Sequence, residues 1–176
     1  MQRRALLTTL AAGGVAAASG LVWVAQPKMR AALALDRTLD QLSGLDPTTL
    51  SPAGPWDVAR TLAHLAQSVE FSMTGYPEQR SPMFQKTVGR LAFNVFQTRG
   101  QMSHGVDEPI PGEQIAAELG PEAALARLTT ALIRFRDFDG PVQAHFAYGV
   151  LSKDEYAKAH VMHVQDHLEE LRVAEA

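Results

Sequence analysis

No stretch of this chain alternates apolar and polar residues over the four to eight positions that a half-buried strand needs. Five stretches instead repeat apolar residues at helical spacing. Residues 29–45 carry Leu33, Leu35, Leu39 and Leu42 and end near Gly44. Residues 56–75 carry Val58, Leu62, Leu65, Val69 and Met73, with Gly75 and Pro77 as the stop. Residues 81–102 open on Ser81 as a cap and end at Gly100. Residues 121–138 start at Pro121 and repeat Leu125, Leu128, Leu132 and Phe135. Residues 153–173 follow Ser152, again a good cap. Between them, 45–55 holds three prolines and a glycine and reads as a loop, with Pro55 where the second helix could start. Residues 105–120 read as a long loop with room for one short helical turn, and 139–152 as a structured loop. Helices joined by loops, with no internal repeat, predict an all-α chain built as a four-helix bundle.

The first 26 residues differ from the rest. Arg3 and Arg4 precede 22 residues without a charge, rich in Ala, Gly and Thr. Paired arginines before a moderately apolar run predict a twin-arginine export signal, with Ala16, Ala17 and Ala18 before Ser19 as an imperfect cleavage site. The run is also about the ~20 residues that span a bilayer, so a retained N-terminal anchor is the alternative. Both readings divide the chain into 1–27, signal or anchor, and 28–176, a single helical domain outside the cytoplasm. The membrane is then a partner only through an uncleaved N-terminal segment. Without Arg3 and Arg4 the chain has 14 Lys and Arg against 19 Asp and Glu, a charge of −5. No basic stripe or aromatic-interleaved Lys/Arg run is present, which argues against nucleic acid as a partner. The absence of cysteine excludes disulfides, thiolate ligands and a cysteine nucleophile, so any metal site must use His, Asp, Glu or water.

Three of the six histidines, His160, His163 and His167, crowd the last helix. At 100° per residue they fall within an arc of about 60°, on the face that also carries Val164, Leu168 and Leu171. Burying a polar ring without a partner costs roughly 1–3 kcal/mol. A divalent cation removes that cost for several rings together, because each neutral imidazole offers it a lone pair. His163 and His167 have the i, i+4 spacing with which one helix supplies two ligands. A further ligand must come from another helix, and His64, on the shoulder of the second helix's apolar face, is the candidate. His104 reads as an exposed loop residue, whereas His145 is placed to line the mouth of the site. No H-E-x-x-H motif is present, and Glu70 falls away from His64, so no general base stands out. Tyr148 and His145 could act as acid or base if their loop folds over the metal.

These residues taken together resemble the DinB-like superfamily of metal-binding four-helix bundles, and within it an uncharacterised branch that often carries export signals. The resemblance covers about residues 30–172. It is carried by WDVARTLAHLAQSVEFSMTGYPE from Trp56, by PIPG at 109–112, by AHFAYGVLSKDEY from Ala144 and by the terminal histidines. It implies an up-up-down-down left-handed bundle and a divalent metal held by His64, His163 and His167. His160 becomes an additional inward histidine that contacts a metal ligand or the substrate, and His145 matches a loop histidine that relatives often show; Tyr148, by its position in the same loop, is the other candidate contact. Relatives often have a histidine before the last ligand. Here that position is Asp166, which lies off the arc and is not expected to replace a ligand. The resemblance also allows a homodimer through bundle helices.

Neutral imidazoles point to zinc or nickel foremost, with iron or copper as alternatives. The expected function is an exported divalent-metal protein, acting as a metal-dependent transferase or hydrolase on a small molecule. Relatives imply thiol-dependent transferases and isomerases, whereas hydrolysis is the other enzymatic option. A non-catalytic metal- or ligand-binding module is the alternative, and a purely structural bundle without metal is the third reading.

Overall fold

The structure, a computed structural model, describes residues 34–105, 107–113 and 119–173. The signal or anchor expected over 1–27, the start of the first helix including Leu33, and the middle of the 105–120 loop lie outside the described residues. Five helices stand among the described residues, as the apolar periodicity predicts, and these residues are all-α apart from one very short ladder. Helix α1 covers 34–43. Helix α2 is Val58–Thr74, α4 is Pro121–Asp137 and α5 is Lys153–Glu170. Helix α3 runs through Pro82–Phe84, a π turn at Gln85–Gly89, and Arg90–Arg99. No helix among the described residues is long and apolar enough to cross a membrane.

The helix ends follow their cap chemistry. Asp57 accepts from the Arg60 amide and starts α2 two residues after Pro55. This is later than the proline suggested, because a carboxylate at the cap satisfies an orphan amide that Pro55 cannot. Ser81 accepts from the Phe84 amide. Ser152 forms a full capping box with Glu155, whose carboxylate accepts from the Ser152 amide in return. Gly100 closes α3 at φ 70°.

Helix α2 is the centre of the molecule. Every residue from Thr61 to Val69 is buried. Its apolar stripe of Val58, Leu62, Leu65, Val69 and Met73 is buried in one core with Leu128, Ala131, Leu132 and Phe135 of α4, the helix that packs along it. Its other side is polar and equally buried, with Thr61, His64, Ser68 and Ser72 in helical register. That side faces α5. Ser72 meets His160, while His64 meets His163 and His167, so the two helices run antiparallel.

Two expectations are corrected. The last helix ends at Glu170 rather than continuing to residue 173. Leu171–Val173 instead pairs antiparallel with Leu50–Pro52, and the Ala53 amide donates to the Glu170 carbonyl. The 45–55 segment is therefore a short 3-10 turn, Pro47–Thr49, followed by a strand, not a featureless loop. Three-residue strands are too short to leave a period-2 signature, so only the pairing reveals them.

Candidate metal centre

The site is built on one turn of α2, two turns of α5 and two loops. His64 projects from the polar side of α2 and is only 1% exposed. Its Nδ1 lies 3.0 Å from Glu113 Oε2. A carboxylate only accepts, so a ring proton sits on Nδ1 and Nε2 is turned the other way. That Nε2 is buried without a partner. The Trp56 ring packs edge-on against His64 at 5.0 Å between centroids, and Arg60 lies over the indole, so this flank is closed.

From α5, one turn apart, come His163 and His167. Their rings stand 5.2 and 5.3 Å from that of His64 and 4.9 Å from each other. His167 Nε2 is also buried without a partner. Burial, reinforced by His64 and His104, pushes the His167 pKa down to about 3. Burial, with His64, His167, His104 and His160 around it, holds His163 well below the ordinary imidazole range. These rings are therefore neutral at pH 7 and keep a lone pair for an acceptor of electrons.

The fourth member is His104. Its ring is 4.9 Å from His163 and 5.1 Å from His167. Its side chain is 26% exposed, and its Nδ1 lies 2.7 Å from Asp166 Oδ2, which again turns Nε2 away from the carboxylate. This overturns the reading of His104 as merely exposed. A loop histidine has no periodicity to reveal where it points. Here Met102 and Ile110, both buried, anchor the segment on either side and fold it across the histidine end of the bundle. Asp166, as expected, is not one of the converging groups; it holds His104.

His64, His104, His163 and His167 each offer one ligand atom, and all four atoms lie within 4.8 Å of one another. Bonds of about 2.1 Å in a tetrahedral shell set neighbouring nitrogens about 3.4 Å apart, so the cluster could hold a metal ion once the rings draw in by up to about 1 Å each. Two orphaned imidazole nitrogens and two carboxylate-backed rings fit a divalent cation. They do not fit a dry core, where each orphan costs roughly 1–3 kcal/mol.

Glu113 was not foreseen. Its side chain is 1% exposed. Besides His64, its Oε2 accepts from the Ile110 amide at 2.8 Å, so one carboxylate ties the 109–113 turn to the metal-facing ring. The PIPG motif stops one residue short of it, and Gly112, at φ 74°, makes the turn that brings it in. Glu70, in contrast, forms a two-pronged ion pair with Arg127 away from the site.

The remaining candidates sit beside the cluster. His160 is buried but lies outside the four-histidine set, bonded through Nε2 to Ser72 Oγ at 3.1 Å and edge-on to Phe135. His145 folds into a tight turn with Gly149, closed by two backbone bonds. Its ring stacks on Tyr148 at 4.2 Å. Burial lowers the His145 and His160 pKa values to about 3 and raises that of Tyr148 to about 12, so all three are uncharged at pH 7. The turn is seated on the π turn of α3. Gln85 donates to the Phe146 carbonyl, and a Cβ on Gly89 would stand 1.9 Å from the Ala147 oxygen. A cavity of about 80 Å³ opens between this turn, the 102–111 loop and α5, bordered by His64, His104 and His163 of the cluster and by His145, His160 and Tyr148.

Searches with the chain against curated proteins and against solved structures returned no match. Residues 26–174 match the family described as "Protein of unknown function (DUF1569)", a DinB/YfiT-like family whose histidine cluster is consistent with metal binding, and the chain belongs to that family.

Proposed function

We propose that this chain is an exported divalent-metal protein whose His64, His104, His163 and His167 hold one zinc or nickel ion. The ion serves a small molecule seated in the adjoining cavity, in a metal-dependent transferase or hydrolase. The observation that carries the reading is the convergence of four imidazole ligand atoms within 4.8 Å, with His64 Nε2 and His167 Nε2 otherwise orphaned. The chemistry a divalent ion supplies when bound there is Lewis-acid polarisation of a ligand. The chain's own share is to orient the rings through Glu113 and Asp166, to exclude water on the Trp56 side and to present uncharged His145, His160 and Tyr148 to the cavity. The finer architecture, an up-up-down-down bundle over 28–176, belongs to the same proposal and rests on the family likeness. Export or anchoring by residues 1–27 rests on Arg3, Arg4 and the uncharged run after them.

One observation favours the non-catalytic reading. Four imidazoles would fill a tetrahedral shell, as in structural zinc sites, whereas catalytic sites keep a position open. The two readings differ in what the cavity does to the metal. An active site exchanges ligands at the ion, and a closed site does not.

Elemental analysis of the purified full chain tests the shared core of both readings. We expect one zinc- or nickel-type ion per chain, and less than a tenth of that in His64→Ala and His163→Ala. Ligand binding to the native state adds RT ln(1 + [L]/Kd), about 2.7 kcal/mol at a hundredfold excess over Kd. For a chain of this size chelation should then lower the melting temperature by roughly 5–10 °C. Equal metal content in wild type and both variants, or melting unmoved by chelator, would remove the metal from the proposal.

A further inference from the structure

The two uncharged histidines of the cavity wall have fixed and opposite hydrogen-bonding roles. His145 Nδ1 accepts from the Ala147 and Tyr148 amides at 3.1 and 3.2 Å. Backbone amides only donate, so this nitrogen carries the lone pair and the ring proton must sit on Nε2. The opposite holds for His160. Ser72 Oγ spends its single proton on the Val69 carbonyl at 2.6 Å. It can only accept from His160 Nε2, which therefore bears the proton and leaves a lone pair on Nδ1. Burial keeps both rings from taking a second proton at neutral pH.

Both rings line the cavity. Neither His145 Nε2 nor His160 Nδ1 is among the fully buried side-chain polar atoms left without a partner within the described residues. With no hydrogen bond of their own, these two atoms keep access to the cavity. The rings flank Tyr156, with centroids 6.0 and 5.4 Å from it, and His160 is near enough to add to the burial that disfavours protonation of His145.

The surroundings are close to charge-neutral. Arg80 and Glu108 are the cavity's charged lining residues and oppose each other. Glu113 and Asp166, as carboxylates, bring two negative charges against the two positive charges of a divalent ion. A volume of about 80 Å³ amounts to some five to eight water-sized positions. That is room for a head group of a few non-hydrogen atoms, not for a whole cofactor.

We propose that this cavity recognises an uncharged carboxamide-type group, whose carbonyl oxygen accepts from His145 Nε2–H and whose N–H donates to His160 Nδ1. The inference rests on the reading of the cavity as the ligand site of the metal centre, but it assigns the ligand's chemical class from residues that are not metal ligands. His145 and His160 are specificity residues in this scheme.

The test uses the full chain and three probes of matched size: acetamide, methyl acetate and acetate. Binding is followed by amide chemical shifts, with and without zinc, and zinc uptake is measured on the same samples. Two variants keep the internal bonds while deleting the cavity contact. His145→Asn retains an acceptor for the Ala147 and Tyr148 amides but loses the cavity donor. His160→Gln retains a donor to Ser72 but loses the cavity acceptor. We expect acetamide to bind about three- to tenfold tighter than methyl acetate, the worth of one neutral hydrogen bond, and tighter than acetate. His160→Gln should erase the preference for amide over ester, and His145→Asn should weaken both by a similar factor. Equal binding of amide and ester to the wild type, tighter binding of acetate, or an unchanged preference in His160→Gln overturns the proposal. A sound amide preference in a chain that takes up no zinc would sink the metal reading alone. Zinc uptake without any amide preference would sink this inference alone.

Discussion

Glu113 is the residue on which the metal reading can be pressed hardest, because two different substitutions separate its two jobs. Its Oε2 accepts from His64 Nδ1 at 3.0 Å and from the Ile110 amide at 2.8 Å, in a side chain that is 1% exposed. In Glu113→Gln, the amide oxygen can still accept both bonds, so the turn and the His64 tautomer survive while the charge is lost. Carboxylates behind a metal-bound imidazole raise its basicity and fix its orientation, and their removal costs about 10–100-fold in metal affinity. That corresponds to roughly 1.4–2.8 kcal/mol of binding free energy. Glu113→Ala removes the shared acceptor and strands two buried donors at roughly 1–3 kcal/mol each, so the apoprotein should lose about 2–6 kcal/mol of stability as well. The assay is zinc competition against a chromophoric chelator at pH 7.5, paired with urea unfolding of the metal-free chain. The expected pattern is a 10–100-fold weaker Kd in Glu113→Gln with unfolding near wild type, and both properties impaired in Glu113→Ala. Wild-type zinc affinity in Glu113→Gln would refute the claim that His64 meets the metal through the nitrogen opposite Glu113.

Other consequences are as specific. Asp166→Asn should weaken zinc binding about tenfold through His104, yet add nothing on a His104→Ala background, since the two residues act as one unit; independent, additive effects in zinc titrations would separate them. His145 and His160 have folded-state pKa values depressed to about 3, so below pH 6.5 the unfolded chain takes up protons first. Metal-free stability should therefore be full above about pH 6.5 and fall by up to about 1.4 kcal/mol per pH unit for each of these histidines as pH drops towards 3. Urea midpoints that stay flat between pH 6.5 and 4.5 would contradict that. Gly89→Ala forces a methyl group against the Ala147 carbonyl; the strain should cost roughly 1–3 kcal/mol, seen as a lower melting temperature together with shifted His145 ring resonances. A variant that melts like wild type would show that the π turn and the His145 turn are not in contact.

The sequence revealed the parts of this molecule that follow from helical periodicity. Val58, Leu62, Leu65 and Val69 recur at spacings that only a helix can align, and they are buried where the spacing puts them. The same arithmetic turned His160, His163 and His167 inward. The i, i+4 spacing of His163 and His167 favoured those two over His160 as a ligand pair, but no spacing shows that His160 meets Ser72 of another helix. Contacts made by loops carry no period. His104 and Glu113 reach the site because Met102, Ile110 and the left-handed turn at Gly112 fold the 102–113 segment over the histidines. None of that is encoded in a spacing. Glu113 adjoins PIPG, and a turn-forming motif followed by an acid was the one signal that could have raised it. Asp166 was placed correctly off the ligand arc, but its partner came from that same loop. The short ladder between Leu50–Pro52 and Leu171–Val173 was hidden for a related reason, since a pairing between distant triplets has no local signature.

Whether four imidazoles from α2, α5 and the loop that carries His104 share one ion can be read from X-ray absorption at the zinc edge of the loaded chain. We expect one zinc per chain with a first shell of imidazole nitrogens at about 2.0–2.1 Å, four in the wild type and one fewer in His104→Ala. A shell dominated by carboxylate or water oxygens, or an identical shell in His163→Ala, would contradict it.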